Sequence, residues 1–178
     1  NNSKKKQIKY FIKKMHKKSL YNTLLNLSRN IFFYNQIYLK DTFESRLYLM
    51  FIHFSILMII FKKKKKKFPQ KDYDLFFQNI EYNLRELGFG DVAVNKKMKE
   101  FNQVLYDILL KLEIDQNKSN NFNISRNLIY KYFSCFKDNK DTKYPIFESY
   151  FVNFYNYCFE LPLDNMVKDS KNFNYGCS

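Results

Sequence analysis

Leu47-Tyr48-Leu49-Met50-Phe51-Ile52-His53-Phe54-Ser55-Ile56-Leu57-Met58-Ile59-Ile60-Phe61 is the most apolar run in the chain, and its reading decides the fold. As a helix these residues cover about 22 Å. A bilayer core is about 30 Å thick and takes about 20 apolar residues. Arg46 and Lys62 close the run tightly, and His53 and Ser55 interrupt it. It therefore reads as the buried central helix of a bundle, with membrane contact as the weaker alternative. Just upstream, Asp41-Thr42-Phe43-Glu44 reads as a capping box. The Asp41 carboxylate would accept from the Glu44 backbone N–H, and Glu44 would reach back. The helix is expected to start near Thr42.

Working outward, Leu20, Leu24, Leu27 and Ile31 form a core-facing stripe at helical spacing. Before it, Ser3 to Lys18 is rich in lysine, with Ile8, Phe11, Ile12 and Met15 on one face. This stretch lacks the continuous apolar segment of a secretory signal. It reads as a basic helical arm over residues 1–18, solvated or lying on a membrane or ribosome surface. The chain does not begin with Met, which leaves room for an upstream segment.

Downstream of the central run, Lys62 to Lys67 are six consecutive lysines. Such a block repels itself and reads as a solvated loop. Tyr73, Phe76, Ile80, Leu84 and Leu87 then mark a helix from about Lys71 to Leu87. Gly88 stands where a left-handed helix terminus wants glycine, and Asp91 stands where the next helix wants a cap. That helix shows Val94, Met98, Phe101, Leu105, Ile108 and Leu112 on one face. The short turn forces the two helices to pack as neighbours. Residues 113–123 read as a polar linker. Further helices are expected from about Ile124 to Phe136, from Ile146 to Phe159, and shortly after Pro162. The organisation expected is one helical domain over 19–167, with a disordered tail over 168–178.

Composition agrees with an all-α single bundle. Only three Gly and three Pro occur, too few for a sandwich or barrel that turns every ~8–12 residues. The net charge of +14 points to nucleic acid, an anionic membrane or an acidic partner. Lys, Asn, Ile, Phe and Tyr dominate, however, which is also the usage of an AT-rich genome. Aromatic residues make up 20% of the chain, more than a small core needs, so some aromatic surface is expected to be exposed. Three widely spaced cysteines, Cys135, Cys158 and Cys177, suit a reducing compartment better than a disulfide framework or zinc site.

No catalytic, metal or cofactor constellation is expected. Gly88-Phe89-Gly90 lacks the third glycine and the preceding strand of a phosphate loop. His16 and His53 lie on different helices, and His53 reads as a buried structural histidine before it reads as a haem ligand. Asp72 and Asp74 belong to a helix start. Absence of convergent titratable groups argues against an enzyme. The remaining feature is Arg85 to Lys99. There Lys96, Lys97 and Lys99 are expected in a basic first turn, where cations oppose the helix dipole.

Several pieces of the chain, taken in order, resemble the ubiquinol–cytochrome c chaperone domain family. They are Leu20-Tyr21, Ser28-Arg29-Asn30, Phe33-Tyr34 and Asp41-Thr42-Phe43-Glu44-Ser45-Arg46. The apolar helix with His53, the run from Leu84 to Lys99, Tyr106, Arg126-Asn127-Leu128-Ile129-Tyr130 and the closing aromatic helix follow. The resemblance spans roughly Ser19 to Asn174. It implies a helical, non-enzymatic assembly factor of respiratory complex III that binds newly made cytochrome b. It further implies client contacts at Asp41, Arg46, Arg85, Glu86, Phe89, Asp91, Lys96, Lys97 and Lys99. A small assembly partner protein, the ribosome and peripheral contact with an anionic membrane are further partners that it implies, with no specific DNA. The compact C-terminus resembles the bacterial members. That implies a cytoplasmic location or the inner-membrane periphery of an alphaproteobacterium, or the matrix side of a mitochondrion if the source is eukaryotic. The alternative from another class is a basic helical module that binds nucleic acid or the ribosome. It predicts a steep dependence of binding on salt.

Overall fold

The computed structural model describes Lys6, residues 20–138 and residues 142–176. The expected N-terminal arm lies outside them except for Lys6. Among the described residues the fold is all-α. In chain order the helices are α1 (Leu20–Ser28), α2 (Ile31–Asn35), α3 (Phe43–Lys63), α4 (Gln70–Glu86), α5 (Asp91–Lys118), α6 (Arg126–Tyr132), α7 (Cys135–Asp138), α8 (Tyr144–Glu160) and α9 (Leu163–Asp169), with a 3₁₀ turn at Ser170–Asn172.

Helix α3 is the axis of the bundle. By length and composition it could cross a membrane, yet 67% of its most apolar stretch is buried inside the protein. It is buried all round because neighbours cover every side: α1 and α4 on one, α5 on another, α8 on a third. Phe51 and Phe54 meet Phe76 of α4, and Phe43 meets Phe101 of α5. His53 is fully buried among Phe33, Phe151 and Phe154. Its Nδ1 lies 2.7 Å from the Leu49 carbonyl and its Nε2 lies 2.9 Å from the Tyr150 hydroxyl. A carbonyl only accepts, so Nδ1 carries the proton and Nε2 accepts from Tyr150. Burial drives its pKa down to about 3. This is the structural histidine that the sequence suggests.

Several expectations need correction. The cap of α3 is Thr42, whose hydroxyl accepts from the Ser45 N–H at 3.1 Å, while Asp41 turns aside to Arg46. The first stripe breaks after Ser28. Asn30 caps α2 by accepting from Phe32 N, and the change of phase leaves Ile31 68% exposed. The polar stretch from Glu113 is helical through Lys118. Gln116 and Asn123 bond reciprocally, and Asp115 accepts from the Ser125 N–H, so this stretch is stitched rather than free. The single helix expected over 124–136 is divided into α6 and α7. Pro145 lies in the first turn of α8, where a missing N–H matters least. The tail to Gly176 is ordered by its rings: Phe173 packs on Tyr150 and Phe154, and Tyr175 on Phe32. Many aromatic residues are spent inside, in a ring network running from Phe32 to Phe173, while Tyr38, Tyr82, Phe89, Tyr106 and Phe159 supply the exposed aromatic surface that composition suggests.

Gly88 has φ +93°. Its N–H bonds the Arg85 carbonyl, and Phe89 N bonds the Leu84 carbonyl, closing α4. No atom lies within 4 Å of where a Cβ would sit. Any penalty of a side chain here therefore comes from the backbone alone. Gly88→Val should lower stability by about 1 kcal/mol or more, with Gly88→Asn milder. Thermal melts of the two variants check this, and equal melting temperatures would contradict it.

Candidate functional site

The turn between α4 and α5 forms a corner at one end of the bundle. Gly90 caps α5, and Asp91 is its first residue rather than its cap. The Asp91 carboxylate instead accepts from Arg85 Nη1 at 2.5 Å, while Arg85 Nη2 donates to Glu81 at 3.0 Å. This exposed brace spans the turn and, screened by solvent, adds little to stability. Its effect is to hold the guanidinium against the corner.

Three apolar side chains project from the same turn: Leu87 is 60% exposed, Phe89 38% and Val92 86%. Lys97 Nζ stands 5.0 Å over the Phe89 ring. Lys96 and Lys99 are exposed, with no ion pair among the described residues. The three lysines lie beyond the first turn of α5, which holds Asp91 instead. The dipole acts mainly over the first turn, so the expected conflict with it does not arise. What marks the corner is its exposed apolar surface.

The start of α3 reaches the same end. Phe43, Arg46, Leu47 and Met50 face Tyr21 and Leu25 of α1 and Asn83, Glu86 and Leu87 of the corner across a cleft of about 400 Å³. Arg46 Nε donates to Asp41 Oδ1 at 2.7 Å, at the edge of this cleft. The Asn83 amide donates to the Tyr21 hydroxyl on its wall. A second hollow shares Tyr21, Asn83 and Glu86 with the first and adds Tyr82. Of the residues named from the resemblance, Arg46 and Glu86 line the cleft and Arg85 lines the second hollow; Asp41 is held by Arg46 and Asp91 by Arg85, while Phe89, Lys96, Lys97 and Lys99 line neither. The sequence reading missed Tyr21, Leu25, Asn83, Leu87 and Val92. Leu87 and Val92 carry a signal in retrospect, because both sit where a helix end exposes its side chains.

The arrangement suits contact with an apolar segment. Its floor is aliphatic and aromatic, and its rim is charged with both signs. The best-developed polar cluster elsewhere is Asp107, which accepts from Lys131, Lys111 and Tyr132. Burial pushes its carboxyl up, and these donors overcome that and pull it down to about 2. It joins α5 to α6 as a fixed anion and offers no proton at neutral pH.

A family model described as Ubiquinol-cytochrome C chaperone matches residues 35–133. That stretch holds α3 to α6 and every charged residue expected to touch a client. The pieces at Leu20-Tyr21, Ser28-Arg29-Asn30 and Phe33-Tyr34, and the closing aromatic helix, lie outside the matched residues. No curated protein and no solved structure matches the chain.

Proposed function

Because the chain belongs to the ubiquinol–cytochrome C chaperone family, over more than half its length, we propose that it holds newly made cytochrome b during assembly of ubiquinol–cytochrome c reductase, at the corner and cleft just described. A nascent membrane protein exposes apolar helices before they find partners. Helix-in-groove recognition matches such a helix to a concave apolar surface. The observation that carries the reading is Leu87, largely exposed yet lining the cleft with Leu25, Phe43 and Leu47, with Phe89 and Val92 exposed from the same turn. The lysines of α5 and the Arg46–Asp41 pair would steer the flanking loops, through rate and salt dependence more than through affinity.

The reading extends to the setting. We place the chain in a reducing compartment, at the cytoplasmic face of a bacterial inner membrane or the matrix side of a mitochondrion. A small assembly partner and the ribosome are further contacts that this reading allows.

A photo-crosslinker placed at position 92 in cells that make cytochrome b tests the proposal. A crosslink to newly made cytochrome b is expected there, and none from Lys168 on α9. Products at 92 that contain no cytochrome b would overturn the client assignment. Lys96→Glu with Lys97→Glu should reduce capture severalfold, because rim charges act mainly on encounter. Exposed helix charges are worth only tenths of a kcal/mol, so the melting temperature should hold.

A further inference from the structure

The six lysines divide into two groups of three. Lys62 Nζ pairs with Glu113 at 3.1 Å. Lys63 Nζ donates to the Tyr155 hydroxyl at 3.1 Å. Lys64 Nζ donates to the carbonyls of Phe159 and Leu161, at 2.7 and 3.2 Å, and stands over the Phe159 ring. Lys62 ties the end of α3 to α5, and Lys63 and Lys64 tie it to the end of α8, where Lys64 takes up helix-terminal carbonyls that lack internal partners. The block is therefore not wholly the solvated loop expected from sequence. Lys65, Lys66 and Lys67 are all exposed, and their side chains have no partner among the described residues.

The backbone sharpens the contrast. Lys65 has φ +57°. Its N–H bonds the Lys62 carbonyl, and Lys66 N bonds the Phe61 carbonyl. This is the helix-ending turn that favours glycine at that position. A residue kept in an unfavoured conformation points to a use for its side chain. Here that side chain begins a row of three ammonium groups projecting from a tight turn.

We propose that the Lys65-Lys66-Lys67 turn is an electrostatic foothold on an anionic lipid bilayer, an inference that rests on the client being a membrane protein. The chemistry favours lipid phosphate over RNA. Binding of single strands relies on exposed rings for stacking bases. The one ring next to the turn, Phe68, is packed inward on Phe54 and Phe61. Phe159 is covered by Lys64. With no ring free to insert, the foothold is peripheral, reversible and weakened by salt.

The test is partition of the full-length protein onto vesicles of phosphatidylcholine, with or without roughly one-third phosphatidylglycerol. Each lysine near an anionic surface contributes enough that replacing Lys65, Lys66 and Lys67 together by Ser should weaken partition onto the anionic vesicles by about 100-fold. The same replacement at Lys96, Lys97 and Lys99 removes equal charge at the other end of the bundle and should weaken it by less than about threefold. Lys65→Gly relieves the backbone, keeps two lysines, and should stay folded with only a severalfold loss. N-terminal lysines are identical in every variant, so the differences read the turn. Equal losses in the two triple variants, unchanged binding, or a loss seen only with a single-stranded RNA probe would each overturn the foothold. Crosslinking to cytochrome b in the same strains separates the two ideas. Equal vesicle binding by the two triple variants, with crosslinking intact, sinks the foothold alone. Intact vesicle specificity in a wild type that captures no cytochrome b sinks the client reading.

Discussion

Acidification from pH 7 to pH 4 should remove about 3 kcal/mol of stability through His53 alone. The folded pKa is lowered from 6.5 to about 3. The histidine is neutral in both states above pH 6.5, so it contributes no pH dependence there. Below 6.5 the unfolded chain takes up a proton that the native ring refuses, and stability falls by about 1.4 kcal/mol per pH unit until the folded pKa is reached. The native ring refuses it for two reasons. It is fully buried, and its Nε2 is occupied as an acceptor from Tyr150 at 2.9 Å. Denaturant melts at a series of pH values, for the wild type and His53→Gln, read this directly. The glutamine variant should lose one proton's worth of acid dependence whatever its own stability. Parallel curves would show that the buried imidazole is not the group responsible.

How much of this was legible in the sequence depends on how local the physics is. The central helix was readable because an apolar run bounded by Arg46 and Lys62 has few alternatives. Gly88 was readable because a helix terminus and its left-handed residue are decided within five residues. Ile31 was misread because a periodic stripe gives no warning that the Asn30 amide oxygen will cap a new helix and shift its phase. Composition made residues 113–123 look like a linker, although Asp115 and Gln116 are buried through their own hydrogen bonds. The lysine block was half misread because the partners of Lys63 and Lys64 lie more than 90 positions away. The charged residues proposed for the site were named from family resemblance. Its apolar members were not, since exposure of Leu87 and Val92 depends on what fails to pack against them.

Leu87→Asp with Val92→Asp should reduce capture of newly made cytochrome b by about thirtyfold or more while leaving the fold intact. Both side chains are mostly in water, at 60% and 86% exposure, so the folded state loses little when they change. Val92 stands in the first turn of α5, where a carboxylate suits the helix dipole. In the complex the balance reverses. Two apolar contacts are lost, and two carboxylates must be desolvated against an apolar segment, together about 2 kcal/mol or more. Crosslinking yield from a fixed position outside the corner, measured beside the melting temperature, checks the prediction. A stable variant with undiminished yield would move the client elsewhere. The outer face of α5, where Tyr106, Leu110 and Ile114 are exposed at four-residue intervals, is the next surface to probe.

The length of α3 sets one further property. Its 21 residues extend about 32 Å, with the cleft at its first turn and the lysine turn just past its last. At physiological ionic strength a charge is screened over about 8 Å, so the two ends stand roughly four screening lengths apart. The helix acts as a rigid insulating post. Whatever field meets Lys65 has faded before it reaches Arg46, and salt can loosen one end without retuning the other. If the proposed lysine turn rests on a bilayer with α3 upright, a client at the cleft is handled clear of the headgroup layer, in bulk electrolyte.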